Sequence, residues 1–278
     1  MSNLLSGLGK FGLGNLSEMK LFEEPEEKKE EAKEAKPKIP EETEFLVPKT
    51  IECPVCDNKF TELTMKANKA RLIGSDRDLR PRYENFDSVK YGVISCPNCG
   101  YSVLSRYFAP LSPTIKQLIK ANISDAFIKR EDRPTTYTYE DAFERHQLCL
   151  ANTIVKKAKD SEKADVCWKT AWVIRAMAEN LDKSAADYEA TLKELQTQED
   201  TFLKNAYDGF MKARTGENYP ISGMDESTLD YLLATLSIKF NQLDVASRMV
   251  SGILASPSAN ARIKDKARDL KEEIKNAK

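Results

Sequence analysis

From Leu111 onward apolar residues recur every three or four positions, the spacing that lines one face of an α-helix. Ser112 and Pro113 mark a helix start, a capping hydroxyl followed by a proline that the first turn tolerates, with Ile115, Leu118, Ile119 and Phe127 on one face. Thr138 and Asp141 form a capping box in which aspartate replaces the usual glutamate, and it opens a run marked by Phe143, Leu150 and Ile154. Further helical runs at about 161–180, 184–212, 226–241, 243–255 and 259–276 are separated by Gly, Asn, Ser or Pro, which makes about seven helices. Before Leu111 the pattern changes to short β-branched and aromatic stretches at 50–52, 59–61, 91–94 and 101–104, which read as strands.

The first residues fit neither pattern. Residues 1–16 mix Leu4, Leu5, Leu8, Phe11, Leu13 and Leu16 with four glycines, which disfavours helix, so a flexible leader is expected. A short docking segment for a protein groove or a membrane surface is the alternative. Residues 18–44 are almost all Glu, Lys, Ala and Pro, with no apolar face to offset the entropy of ordering, so a disordered linker is expected. The resulting fold class is mostly α. A flexible leader and charged linker (1–44) precede a small four-cysteine β module with a basic and aromatic insertion (45–110) and an α-helical repeat-like domain (111–278).

Composition narrows the chemistry. The 278 residues are 41% apolar and 31% charged with a formal net charge of −1, the balance of a globular chain without the basic excess that phosphate binding draws on. The neutrality is local cancellation: residues 1–50 carry 8 Lys against 11 acidic side chains, and residues 51–110 carry 9 basic against 7 acidic. No apolar run approaches the roughly 18 residues of a membrane span. With a single histidine, His146, general-base and metal chemistry lose their commonest side chain, so a metal site must draw on Cys and carboxylates. Four of the six cysteines form two C-x-x-C pairs and no secretory signal precedes them, which fits a reducing cytoplasm rather than disulfides.

Those pairs are Cys53-Pro54-Val55-Cys56 and Cys96-Pro97-Asn98-Cys99, separated by 39 residues. Two residues between thiols let both sulfurs of a tight turn face one ion, and Cys53, Cys56, Cys96 and Cys99 together make the tetrahedral thiolate shell of structural zinc. Each pair sits between expected strands, the layout of a zinc ribbon. The separation exceeds that of compact four-cysteine modules. Iron in the same ligands is an alternative, and so is a redox pair, although the latter wants a C-x-x-C at a helix start. A closed shell of four leaves no open position for catalysis. Cys149 and Cys167 lie in helical runs beside Leu148, Leu150, Val166 and Trp168, where a cysteine acts as a small hydrophobe, and His146 beside them reads as structural rather than as part of a second metal site.

Between the pairs Lys66, Lys69, Arg71, Arg77, Arg80 and Arg82 cluster with Tyr83, Phe86 and Tyr91. Nucleic acid is one reading, with phosphates on guanidinium groups and bases on rings. The second is local pairing with Asp76, Asp78, Glu84 and Asp87, the rings packing on the ribbon, and a protein-facing surface is the third. An enzyme would need residues such as Asp76 and Asp78 with Arg80 to converge where ribbon meets helices.

The segments IECPVCDNKF (51–60) and DRDLRPRYENFDSVKYGVISCPNCGYSVLSRYF (76–108) resemble the bacterial domain-of-unknown-function family 2225 over about residues 45–255. That resemblance implies an architecture and a metal shell, not a reaction. The helical part resembles tetratricopeptide repeats through Leu233, Ala234, Ala246, Val250, Ile253 and Pro257, with a more degenerate unit at Trp168, Ala171, Trp172 and Ala178. Ser237 stands where that repeat has an aromatic, and Asn241 where it has the turn glycine. The resemblance implies a groove for a peptide or helix of a protein partner, near Lys169, Arg175 and Tyr188. The expected function is therefore a non-catalytic, cytoplasmic adaptor or scaffold with a structural zinc site. A nucleic-acid reader using residues 66–91 and an enzyme are the alternatives.

Overall fold

The computed structural model describes residues 40–130 and 134–277; the expected leader at 1–16 and most of the linker at 18–44 lie outside them. Among the described residues, antiparallel hairpins precede seven α-helices. Strands β1 (Leu46–Glu52) and β2 (Lys59–Met65) flank the first C-x-x-C turn in a register running from Leu46 opposite Met65 to Glu52 opposite Lys59. A second hairpin, β3 (Leu72–Ser75) with β4 (Pro81–Tyr83), forms inside the basic insertion, where no strand was expected. Strands β5 (Val93–Ser95) and β6 (Ser102–Leu104) flank the second C-x-x-C turn. The strand expected at 91–94 starts two residues late because Asp87 caps a 3-10 turn at Ser88–Tyr91, accepting from the Val89 amide at 3.2 Å.

The last residues of the expected linker are folded. Glu42–Phe45 form a 3-10 turn, and Glu42 receives the Lys90 ammonium at 2.6 Å and the Tyr91 hydroxyl at 2.8 Å. Phe45, Phe86, Tyr91 and Tyr137 then close an aromatic cluster, Phe86 stacking on Phe45 at 5.2 Å and on Tyr91 at 5.6 Å.

Helix α1 (Pro113–Ile119) begins as expected, Ser112 accepting from the Ile115 amide, but Phe127 does not continue its face. Asn122 donates its side-chain amide to the Leu118 carbonyl at 2.8 Å, and the chain widens into a π-helical turn at Lys120–Ser124. In α2 (Tyr139–Val155) the capping box is complete, with Asp141 N to Thr138 Oγ1 at 3.0 Å and Thr138 N to Asp141 Oδ2 at 2.9 Å. Helices α3 (Asp160–Glu179), α4 (Tyr188–Gly216), α5 (Glu226–Lys239), α6 (Leu243–Ala255) and α7 (Ala261–Ala277) follow. α4 starts later than the expected 184 because Asp182 accepts from the Ser184 amide and holds a turn there. Asn241 adopts φ 56° between α5 and α6, the left-handed conformation that a glycine would supply. Buried Ser237 of α5 donates to the Tyr207 hydroxyl of α4 at 3.2 Å. None of these helices is long and apolar enough to cross a membrane.

Ribbon and helices share their interiors. Val93 and Leu104 pack with Cys149 of α2 and Val166 of α3, and the C-x-x-C turns pack with Ile119 and Ile123. The insertion is fixed by charge. Asp78 receives Arg175 of α3 through two nitrogens at 2.9 and 2.7 Å, the Trp172 indole at 3.1 Å on its carboxylate and the Trp168 indole at 3.0 Å on its carbonyl. Arg80, only 1% exposed, donates to Asp87 and to Glu179, and Arg82 bridges Asp76 and Glu179. Burial alone would raise the Asp76 carboxyl, but Arg82 and Arg175 hold it below the ordinary carboxylate range.

Two predictions follow from this interior. Asp78→Asn preserves the shape and an acceptor for Trp172 but strands the Arg175 charge, and should cost about 3 kcal/mol in urea unfolding, part of it recovered in the Asp78→Asn, Arg175→Met double variant. Buried His146 donates Nδ1 to the Ala142 carbonyl at 2.7 Å, and burial lowers its pKa from 6.5 to about 4. The unfolded chain therefore binds the proton first as pH falls. Stability from this group is complete above pH 6.5 and is lost toward pH 4, about 3 kcal/mol in all. Unfolding curves at both pH values should show a smaller loss in His146→Gln than in the wild type.

Candidate metal centre

The two C-x-x-C turns repeat one backbone pattern. Cys53 N donates to Asn58 O and Asp57 N to Cys53 O, both at 2.9 Å; Cys96 N donates to Tyr101 O at 2.8 Å and Gly100 N to Cys96 O at 3.0 Å. The residue after each second cysteine turns left-handed, Asp57 at φ 58° and Gly100 at φ 72°. Amides so freed point at sulfur: those of Val55 and Cys56 at Cys53, those of Asn98 and Cys99 at Cys96, that of Tyr101 at Cys99.

The four sulfurs lie within 4.8 Å of one another, with Cys53 to Cys99 at 3.6 Å and Cys56 to Cys96 at 3.7 Å. All six cysteines are free thiols. A zinc–sulfur bond of about 2.3 Å gives a tetrahedral edge near 3.8 Å, whereas a disulfide would need about 2.05 Å, so the spacing fits four thiolates around one ion. Cys53, Cys96 and Cys99 are buried, and half-buried Cys56 receives the Asn98 side-chain amide at 3.4 Å. Hydrogen bonds from Cys96 and Cys99 push the Cys53 thiol down, and the same bonds push Cys96 and Cys99 up. Crowded thiolates repel, and a metal cation bound among them would let all four ionise.

Other sequence-flagged residues are not gathered into a metal site among the described residues. Burial pushes the Cys149 thiol up to about 12 and the Cys167 thiol to about 11, the condition of inert core thiols. In the insertion, Lys66 donates to the Glu44 carbonyl, Lys69 pairs with Glu44, Arg71 with Glu84 and Arg77 with Glu273. With Arg80 and Arg82 engaged as above, each of the six cations has a partner. Phe86 and Tyr91 are core residues, and Tyr83 packs edge-on to Phe86. Of the residues expected in a helical groove, Arg175 is occupied by Asp76, Asp78 and Glu199, and Tyr188 opens α4. Lys169 lies 3.7 and 3.4 Å from the Trp168 and Trp172 ring centroids, where burial lowers its pKa to about 7.

One constellation had no place among the sequence expectations. Glu62, 2% exposed, accepts from the Tyr137 hydroxyl at 2.7 Å, the Ser95 amide at 3.0 Å and Arg145. Its signal was the alternation of β2, which puts Glu62 on the same inward face as Phe60. These residues border a cleft of about 1300 Å³ between β2, the second C-x-x-C turn and α2.

The family model described as "Uncharacterized protein conserved in bacteria (DUF2225)" matches residues 46–274, further toward the C-terminus than the motifs alone reached. No curated protein and no solved structure matches the chain.

The left-handed residues offer a test of the turn geometry. A Cβ on Gly100 would meet the Phe127 ring at 2.5 Å as well as strain the backbone, so Gly100→Ala should cost about 2–4 kcal/mol in urea unfolding. Asp57→Gly, at the equivalent position of the other turn, should stay within about 1 kcal/mol of the wild type.

Proposed function

The chain belongs to the DUF2225 family of uncharacterized proteins conserved in bacteria, and from that premise we propose a non-catalytic, cytoplasmic protein-interaction protein in which Cys53, Cys56, Cys96 and Cys99 hold a structural zinc ion. The observation that carries the zinc assignment is the pair of sulfur separations, 3.6 and 3.7 Å, at the edge length of a zinc–thiolate tetrahedron. Zinc there would supply folding energy and no reaction, because four thiolates close its shell. A shell of free thiols also suits a reducing compartment. The interaction reading is favoured by the insertion: its guanidinium groups already have carboxylate partners, which leaves little unneutralised charge for phosphates. The same pairing occupies Asp76, Asp78 and Arg80, the residues an enzyme at the ribbon would have used.

Metal analysis of the full chain should find about one zinc per chain, and a strong chelator should melt the ribbon, since structural zinc is worth roughly 10 kcal/mol apparent. Cys99→Ser should lose both metal and the cooperative transition. Iron in the same shell would announce itself by visible thiolate charge-transfer absorption. Substoichiometric metal with an unchanged thermal transition after chelation would defeat the zinc assignment, and a salt-dependent shift of RNA or DNA would defeat the protein-interaction reading.

A further inference from the structure

The β1–β2 hairpin leaves one edge unpaired in a cleft. Cys53 N to Asn58 O and Lys66 N to Phe45 O are ladder bonds at either end of the register, so the bonded positions are the odd residues of β1 and the even residues of β2. Pro48 confirms the phase: it falls at an outward position, where its missing N–H costs no ladder bond. On β2 the outward positions are Lys59, Thr61, Leu63 and Met65. The Leu63 amide approaches the Tyr137 hydroxyl. Among the described residues no hydrogen bond reaches the amide or carbonyl of Lys59 or Thr61.

That edge borders the 1300 Å³ cleft, whose opposite wall is α2 with Arg145 and Leu148. The cleft is polarised along β2. At the cysteine end Lys59 stands with Lys129 and Arg130, the Arg130 amide donating to Pro97 O at 3.0 Å. Arg130 pairs with Glu144 at 2.8 Å and exposed Lys59 with Glu52 at 3.9 Å, while Lys129 has no ion pair among the described residues. At the far end Leu46, Leu63 and Tyr137 give an apolar and aromatic wall. The buried Glu62 and Arg145 compensate each other beneath it and add no net charge.

Building on the protein-interaction reading, we propose that this cleft takes an extended peptide segment of a partner protein, which adds as a third strand to β2 through Lys59 and Thr61. Its acidic side chains face Lys59 and Lys129, and its apolar side chains face Leu63 and Tyr137. An open strand edge supplies main-chain hydrogen bonds and the walls supply selectivity. Lys59, Lys129 and Arg130 against Glu52 and Glu144 leave the cysteine end positive among the described residues, which sets the polarity of the segment.

The test is selection from a random peptide library displayed on phage against the metal-loaded full chain. Enriched peptides are expected to combine β-branched residues with Asp or Glu at one end. Thr61→Pro removes an outward amide and no ladder bond, so metal content should stay at the wild-type level while affinity for the enriched peptides drops at least about tenfold. Lys59→Glu with Lys129→Glu provides a second arm: it should lose the acidic peptides and select basic ones. Enriched peptides that bind folded Thr61→Pro as well as they bind wild type, or that show no acidic bias, would overturn the β2 assignment and leave the protein-interaction reading standing. Absence of any enrichment on metal-loaded protein would overturn both.

Discussion

The structure turns on the burial of Asp78 and Arg80. Removing an ion from water costs several kcal/mol even after relaxation, so neither side chain is tolerable inside unpaired. Asp78 is paired by Arg175 and both indoles, and Arg80 by Asp87 and Glu179 through its two terminal nitrogens, its buried Nε having no partner among the described residues. Every one of these interactions except that with Asp87 crosses from the insertion to α3. The hairpin β3–β4 is thus a plug seated on α3, where the Trp168 and Trp172 rings meet edge to face at 4.6 Å.

The insertion is also held at its base. The two C-x-x-C turns meet where its first and last residues emerge, and a bound ion there would tie off a loop of 39 residues, a constraint worth up to about 4 kcal/mol by loop entropy alone. Ion pairs at the tip and sulfurs at the base are chemically unrelated. Acid acts on both, salt on the more exposed ion pairs and chelators and oxidants on the sulfurs, while the apolar contacts of Val93, Leu104, Cys149 and Val166 join the ribbon to α2 and α3 independently of either.

Much of this was legible because it is local. Capping at Thr138, the proline start at Pro113, the four cysteines and the core character of Cys149 and His146 depend on neighbours within a few residues. What escaped the sequence depends on distant partners. Arg80 and Arg82 looked like a cationic surface because Glu179, which neutralises both, lies 97 residues or more away in the chain. The β3–β4 hairpin carries Arg and Pro where strands usually show apolar alternation, and its stability comes from α3 rather than from propensity. Glu62 was half readable: strand alternation turned it inward, but Tyr137 and Arg145, which make that placement tolerable, belong to a loop and a helix far downstream. Asn241 shows the opposite error. Its residue type argued against a left-handed turn, yet its backbone makes one at φ 56°.

The seating of the insertion on α3 has a temporal side. During synthesis the chain emerges from its N-terminal end, and Asp78 waits for Arg175, 97 residues behind it, for about 5–20 s at ordinary elongation rates. Through that interval the segment must stay in water without sticking to neighbours. Its mixed Arg and Asp composition, which later becomes interior pairing, keeps it hydrated until its receptor helix exists. The same side chains serve as solubilising groups in the nascent protein and as internal fasteners in the finished one, which a hydrophobic plug of equal size could not do.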